Sequence, residues 1–217
     1  MLQVRGMSVK LGDLTILRRL SLEVPARGRV GLVGRNGAGK TTTLRSIMGL
    51  IPAVSEGITL GGEDVSGLSA HGRARYGIGY MPEDRRLIST LTVQENILMP
   101  AWAVGLRDPS ERLTAIYRLL PEVKALASRS AAQLSGGQQK LVALARSFIN
   151  ARQLLLLDEP FEGIATAFAQ KLADAIRRFQ DQQEGLAVLV AESDLKRARL
   201  LAQKIYVIER GEIMQED

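Results

Sequence analysis

One short segment constrains this chain more than any other. Gly34-Arg35-Asn36-Gly37-Ala38-Gly39-Lys40-Thr41 fits the pattern G-x-x-x-x-G-K-[ST]. It follows a short apolar run, Val30-Gly31-Leu32-Val33, and precedes a stretch that reads as a helix from Lys40 to about Met48. Strand, glycine-rich turn and helix N-terminus in that order make a phosphate cradle. Glycines let successive backbone N–H groups face inward without a clashing Cβ. The helix N-terminus points its dipole at the same spot. Lys40 is spaced to reach the β- and γ-phosphates of a nucleotide, and the Thr41 hydroxyl to ligate Mg²⁺. The candidate phosphate-binding residues are Asn36, Gly37, Ala38, Gly39, Lys40, Thr41 and Thr42. A glycine turn before an ordinary helix is the simpler alternative, and the order of the elements argues against it.

A second element fits the first. Leu156-Leu157-Asp158-Glu159 reads as a buried strand that delivers Asp158 to its C-terminal end, the edge where ligands bind in open α/β sheets. Asp158 is expected to hold Mg²⁺ through water, and Glu159 to polarise an attacking water.

The rest of the chain reads as α/β. Leu2–Lys10 and Leu20–Val24 alternate apolar and polar residues, as half-buried strands do. Ile58–Leu60 and Ile78–Met81 read as further strands. Thr92-Val93-Gln94-Glu95 is a capping box, and Asp108-Pro109 marks another helix start. Residues 84–150 therefore read as a helical insertion. Beyond it, strands at 154–157, 186–191 and 205–209 alternate with helices at 167–180 and 194–202. Uninterrupted apolar strands between helices predict a parallel sheet covered on both faces. The expected organisation is one unit, with residues 1–83 and 151–217 forming the core and 84–150 the helical part.

Composition removes competing chemistries. The chain has 217 residues and no Cys, so disulfides, thiolate zinc sites and thiol catalysis are excluded, and its one His, His71, argues against a multi-His metal site or Ser-His catalysis. His71 reads as a surface helix residue. The net charge is +6, but no run of five basic residues occurs, and one Trp, four Tyr and four Phe are too few for a base-stacking platform. No nucleic-acid partner is expected. No apolar run is long enough to span a bilayer, and Met1-Leu2-Gln3-Val4-Arg5 lacks the build of a signal peptide. The expectation is a cytosolic protein, or one that touches a membrane from the side.

Between the two nucleotide elements lies Leu134-Ser135-Gly136-Gly137-Gln138, ahead of a helix with Leu141, Leu144, Ala145 and Phe148 on one face. With that third motif the sequence resembles the ABC-type ATPases along its whole length. The resemblance implies a P-loop NTPase fold: a RecA-like, mostly parallel sheet, an N-terminal antiparallel β subdomain and an inserted α-helical subdomain. It implies ATP and Mg²⁺ as ligands and a head-to-tail dimer. Ser135, Gly136, Gly137 and Gln138 would then contact the γ-phosphate held by the other protomer's Lys40.

Four positions depart from the family pattern. Glu83 replaces the usual Gln, and could ligate Mg²⁺ but not donate to a phosphate. Ala165 replaces an Asp. Ser193 stands where the switch His falls, and reads as a helix N-cap, with γ-phosphate ligand as the alternative. Leu11 stands where an aromatic stacks on adenine. The resemblance-based set is Glu159, Lys40, Glu83 and Ser193 as catalytic residues, and Thr41, Asp158 and Glu83 as metal ligands.

The segments 80–86 and 91–96 are similar to importer ATPases of branched-chain amino-acid and related amide systems. That implies permease subunits docking near Asp84 to Trp102, a periplasmic solute-binding protein, and a peripheral place on the cytoplasmic face of the inner membrane. The alternatives are a soluble ABC ATPase acting on DNA or ribosomes, or a low-turnover nucleotide-dependent regulator. The first would need a coiled-coil insertion or a second ATPase domain, which this sequence lacks. Leu11, Ala165 and Ser193 point to the second.

Overall fold

A computed structural model of the chain describes residues 1–216. The chain opens with a hairpin, β1 (Leu2–Leu11) and β2 (Leu14–Val24), paired antiparallel. Leu2, Val4, Met7 and Val9 of β1 are buried, and so are Leu17, Leu20, Leu22 and Val24 of β2. β2 begins well before the expected Leu20, because Gly12 and Asp13 make a tight turn in which Gly12 takes φ +58°. Next come β3 (Arg29–Val33), α1 (Lys40–Ile47), β4 (Gly57–Leu60), β5 (Glu63–Asp64), α2 (Ala70–Tyr76) and β6 (Ile78–Met81). His71 is exposed on α2, as expected.

Helices then dominate, with α3 (Val93–Ala103), α4 (Pro109–Leu119), α5 (Pro121–Ala125), a 3-10 turn at Ala131–Gln133 and α6 (Gly136–Phe148). The start signals work as the sequence indicates. Thr92 Oγ1 accepts from Glu95 N at 3.2 Å while Glu95 Oε2 accepts from Thr92 N at 2.8 Å. Asp108 caps α4, with Pro109 in its first turn. Alternation returns with β7 (Leu154–Asp158), α7 (Thr166–Asp181), β8 (Ala187–Glu192), α8 (Leu195–Ala198), β9 (Lys204–Glu209) and β10 (Glu212–Glu216).

The strands form two sheets. One is antiparallel in the order β2-β1-β4-β5. The other runs β10-β9-β3-β8-β7-β6, with β10 antiparallel to β9 and the remaining pairs parallel. β7 can be four leucines in a row because both its faces are covered. Leu154 and Leu156 pack into a core shared with β1, β2 and β4, whereas Leu155 and Leu157 pack into a core with α3, α6 and α7. Each such leucine is worth roughly 1.5–3 kcal/mol of burial. Among the described residues no helix is long and apolar enough to cross a membrane.

One helix start differs from expectation. The N-cap of α8 is Asp194, whose carboxylate accepts from Arg197 N at 3.0 Å. Ser193 is therefore not the cap, and the helix is shorter than residues 194–202. Asp and Ser cap about equally well, and Ser193 is instead engaged with Glu159.

Candidate functional site

β3, β6, β7 and β8 run parallel, so their C-terminal ends share one edge of the sheet. The segments leaving that edge carry Gly34–Thr41, Glu83, Asp158–Glu159 and Ser193. This is the edge where open α/β sheets hold ligands.

The glycine-rich turn lies between β3 and α1. Gly37 and Gly39 take φ +81° and +112°, and a Cβ on Gly39 would stand 2.7 Å from the Leu17 side chain. A cavity of about 370 Å³ opens above it, with Asn36, Lys40, Thr42, Glu83 and Glu159 in its wall. Lys40 is buried. Its Nζ donates to Gly34 O at 2.8 Å and Arg35 O at 3.3 Å, and pairs with Glu159 Oε1 at 3.1 Å.

Thr41 Oγ1 donates to Asp158 Oδ1 at 3.1 Å, and the Tyr80 hydroxyl to Oδ2 at 3.4 Å. Burial pushes the Asp158 carboxyl up to about 6, with Glu83 and Glu159 adding to the shift and the Thr41 bond opposing it. A hydroxyl, a buried carboxylate and the exposed Glu83 are hard oxygen donors. Among the described residues no group of three or more His, Cys, Asp or Glu forms a cage for a metal. A cation here would draw its other ligands from phosphates and water, which fits Mg²⁺.

Glu159 sits just past β7 with φ +49°, a left-handed backbone that non-glycine residues seldom adopt. Its Oε2 accepts from Ser193 N at 3.1 Å and from Ser193 Oγ at 3.2 Å. Freed from capping, Ser193 thus holds the candidate water-positioning carboxylate. Glu192, fully buried beside it, accepts from Phe161 N at 2.8 Å. Burial first, and then the Glu159 carboxylate beside it, hold the Glu192 carboxyl above the ordinary range, against the opposing bond from Phe161 N.

Ser135 caps α6. Its N–H donates to Gln138 Oε1 at 2.9 Å, and Gln138 N to Ser135 Oγ at 3.4 Å. Ser135, Gly137 and Gln138 line a different cavity, of about 500 Å³, together with Leu126, Leu141 and Phe168. It shares no lining residue with the phosphate-loop cavity. Leu11 is 49% exposed at the hairpin tip, and Ile16 rather than Leu11 lines the phosphate-loop cavity. Ala165 is the N-cap of α7, with no side-chain bond. Near Asp84–Trp102 a third cavity, of about 240 Å³, lies among Arg45, Tyr80, Arg86, Met99 and Arg146, and Trp102 is exposed.

Tyr80, Ile16, Lys140 and Glu192 were not singled out in the sequence. Glu192 leaves one signal, a charge at the end of the otherwise apolar strand β8, and Lys140, in the polar first turns of α6, leaves none.

Comparison with known proteins gives consistent matches. The family model described as ABC transporter matches residues 17–162. The high-affinity branched-chain amino acid transport ATP-binding protein BraG of Pseudomonas aeruginosa is 34% identical over 100% of this chain and 92% of its own length. A probable branched-chain amino acid transport ATP-binding protein, LivF of Archaeoglobus fulgidus, is 30% identical over 98% of this chain and 90% of its own length. The lipopolysaccharide export system ATP-binding protein LptB of Escherichia coli K12 is also 30% identical, over 92% of this chain and 83% of its own. Among solved structures, a dimeric ATP-binding cassette in a post-hydrolysis state with ADP and Pi superposes with a TM-score of 0.87. It is 23% identical and covers 100% of this chain and 98% of its own, a likeness of fold.

Proposed function

This chain belongs to the ABC transporter family and is one of its ATPases, and on that premise we propose that it is the ATP-binding and ATP-hydrolysing subunit of an importer. Its solute is a branched-chain amino acid or a related small amide, in keeping with the named function of BraG and LivF. It works as a dimer with a second ATPase protomer, on the cytoplasmic face of the membrane, against permease subunits that dock near Asp84 to Trp102. A periplasmic solute-binding protein delivers the solute.

The observation that carries this reading is the separation of the two anion sites. The phosphate loop and the Ser135–Gln138 cap open into different cavities of one chain. A nucleotide in the first can meet the second only if a partner supplies it. Asn36–Thr42 bind the triphosphate, and Lys40 exchanges Glu159 for phosphate oxygens. Thr41, Asp158 and Glu83 would hold Mg²⁺, whose charge would offset that of the phosphates and of the carboxylates beside them. Glu159, steadied by Ser193, takes the proton of the water that attacks the γ-phosphorus, and ADP and phosphate leave.

Mixing Ser135→Arg protomers with Lys40→Ala protomers tests the shared site. About one working site per mixed dimer is expected, and no recovery where mixed dimers form refutes it. Reconstitution with the membrane proteins that co-purify tests the solute class: ATP hydrolysis should rise when Leu, Ile or Val is supplied with the binding protein. The 30% identity with LptB favours a second reading, the ATPase of an exporter of amphipathic lipid. Stimulation by lipid rather than amino acid would select it.

A further inference from the structure

Lys140 takes no part in the mechanism above. It lies on α6, shortly after Ser135, and is 3% exposed. Its Nζ donates to the main-chain oxygen of Glu159 at 3.0 Å, and also to that of Glu162. A buried ammonium is tolerated only when its donors are used, and both carbonyls belong to the turn that presents Glu159. Burial lowers the Lys140 pKa and Arg85 adds to this, while Glu192, Glu162 and Glu159 oppose it.

The turn needs such support. Glu159 holds a left-handed backbone, which persists only where the surroundings over-determine it. Glu159 N donates to Ala191 O at 3.0 Å and Phe161 N to Glu192 Oε1 at 2.8 Å, both on β8. Lys140 adds the contacts from a different element. That element is the helix whose first turn carries Ser135, about 7.5 Å away along the axis at 1.5 Å per residue. Residues 140–148 of that helix are all buried, so it offers a fixed anchor.

We propose that Lys140 is a positioning residue that ties α6 to the turn that presents Glu159 in its own protomer. Lys140 holds that turn against α6, so Glu159 keeps the position from which it addresses the attacking water in its own site. The inference rests on the shared-site dimer proposed above.

The test uses mixed dimers with one working site. One protomer carries Ser135→Arg and keeps the working Lys40 and Glu159. The other carries Lys40→Ala and keeps the working Ser135. Adding Lys140→Met to the first protomer should lower kcat by about tenfold or more with KM for ATP nearly unchanged, and Lys140→Arg should recover most of it. Adding it to the second should change kcat by less than about twofold. Loss confined to the second placement, or equal in both, overturns the proposal. Lys140→Gln, a shorter donor, gives the same comparison should the Met variant not fold. An inactive reference dimer fails the shared-site reading alone. The uniform Lys140→Met dimer then decides: lowered kcat with unchanged ADP affinity supports the link within one chain, and unchanged kcat overturns it.

Discussion

Glu159→Gln should tighten nucleotide binding while it stops turnover. The reason is the pair between Lys40 Nζ and Glu159 Oε1, 3.1 Å apart with both side chains 5% exposed. At an effective dielectric near 20 the attraction of unit charges at that distance is about 5 kcal/mol. An incoming phosphate must compete for the same ammonium. Most of the attraction is regained, because the phosphate replaces the carboxylate and Lys40 keeps Gly34 O and Arg35 O as acceptors. If a quarter of it is lost in the exchange, the wild type forfeits about 1.4 kcal/mol, which is tenfold in Kd. Gln, neutral and nearly isosteric, carries no such competition. ADP is the proper ligand, since without a γ-phosphate it binds without engaging a partner's Ser135. Calorimetric titration with ADP should give a Kd about tenfold lower for the variant, and phosphate release from ATP should fall by about 10²–10⁴. Unchanged or weaker ADP affinity would refute the competition, and wild-type phosphate release would remove Glu159 from the chemistry.

Ile16, which lines the phosphate-loop cavity in place of Leu11, offers apolar area without a π face, so GTP should support hydrolysis within about tenfold of ATP, and Ile16→Tyr should tighten ATP binding by up to roughly 1–3 kcal/mol. Strong ATP preference in the wild type, unchanged by Ile16→Tyr, counts against this. Glu192 has a folded pKa raised to about 8, chiefly by burial. The folded state therefore keeps a proton that the unfolded chain releases near pH 4.3, and the stability this lends is lost as pH rises toward 8. For the wild type the urea midpoint at pH 8 should lie below that at pH 5, and for Glu192→Gln the two should stay closer; equal pH slopes would remove Glu192 from the balance.

The parts legible in the sequence are those set by local rules. The phosphate loop, the capping box at Thr92 and the four-leucine strand β7 all announce themselves within a few residues. The parts missed depend on what lies across the fold. Lys140 and Glu192 look like stray charges until α6 and β8 converge behind the Glu159 turn. Ser193 resembles a cap because Ser commonly caps, and only its neighbour Asp194, better placed for Arg197 N, frees it to bond Glu159. The hairpin was read short because Leu14–Arg19 alternates poorly around an irregular register, with Arg19 at φ +48°. Ile16 replaces Leu11 at the cavity for the same reason, since strand alternation does not say which side of a hairpin tip faces a site.

The strand order also governs how the chain is made. β3, which carries the phosphate loop, is flanked by β8 and β9, and both are translated after residue 186. During synthesis the central strand therefore has no hydrogen-bonding neighbour until the last segment of the chain emerges. Both its edges stay open over that interval, which invites pairing with other chains. Closing contacts of such long sequence separation is slow. The cradle for phosphate is thus among the first segments synthesised and among the last to be assembled. A chain cut short before β8 would carry the whole glycine-rich motif and still lack the rigid strand that aims it.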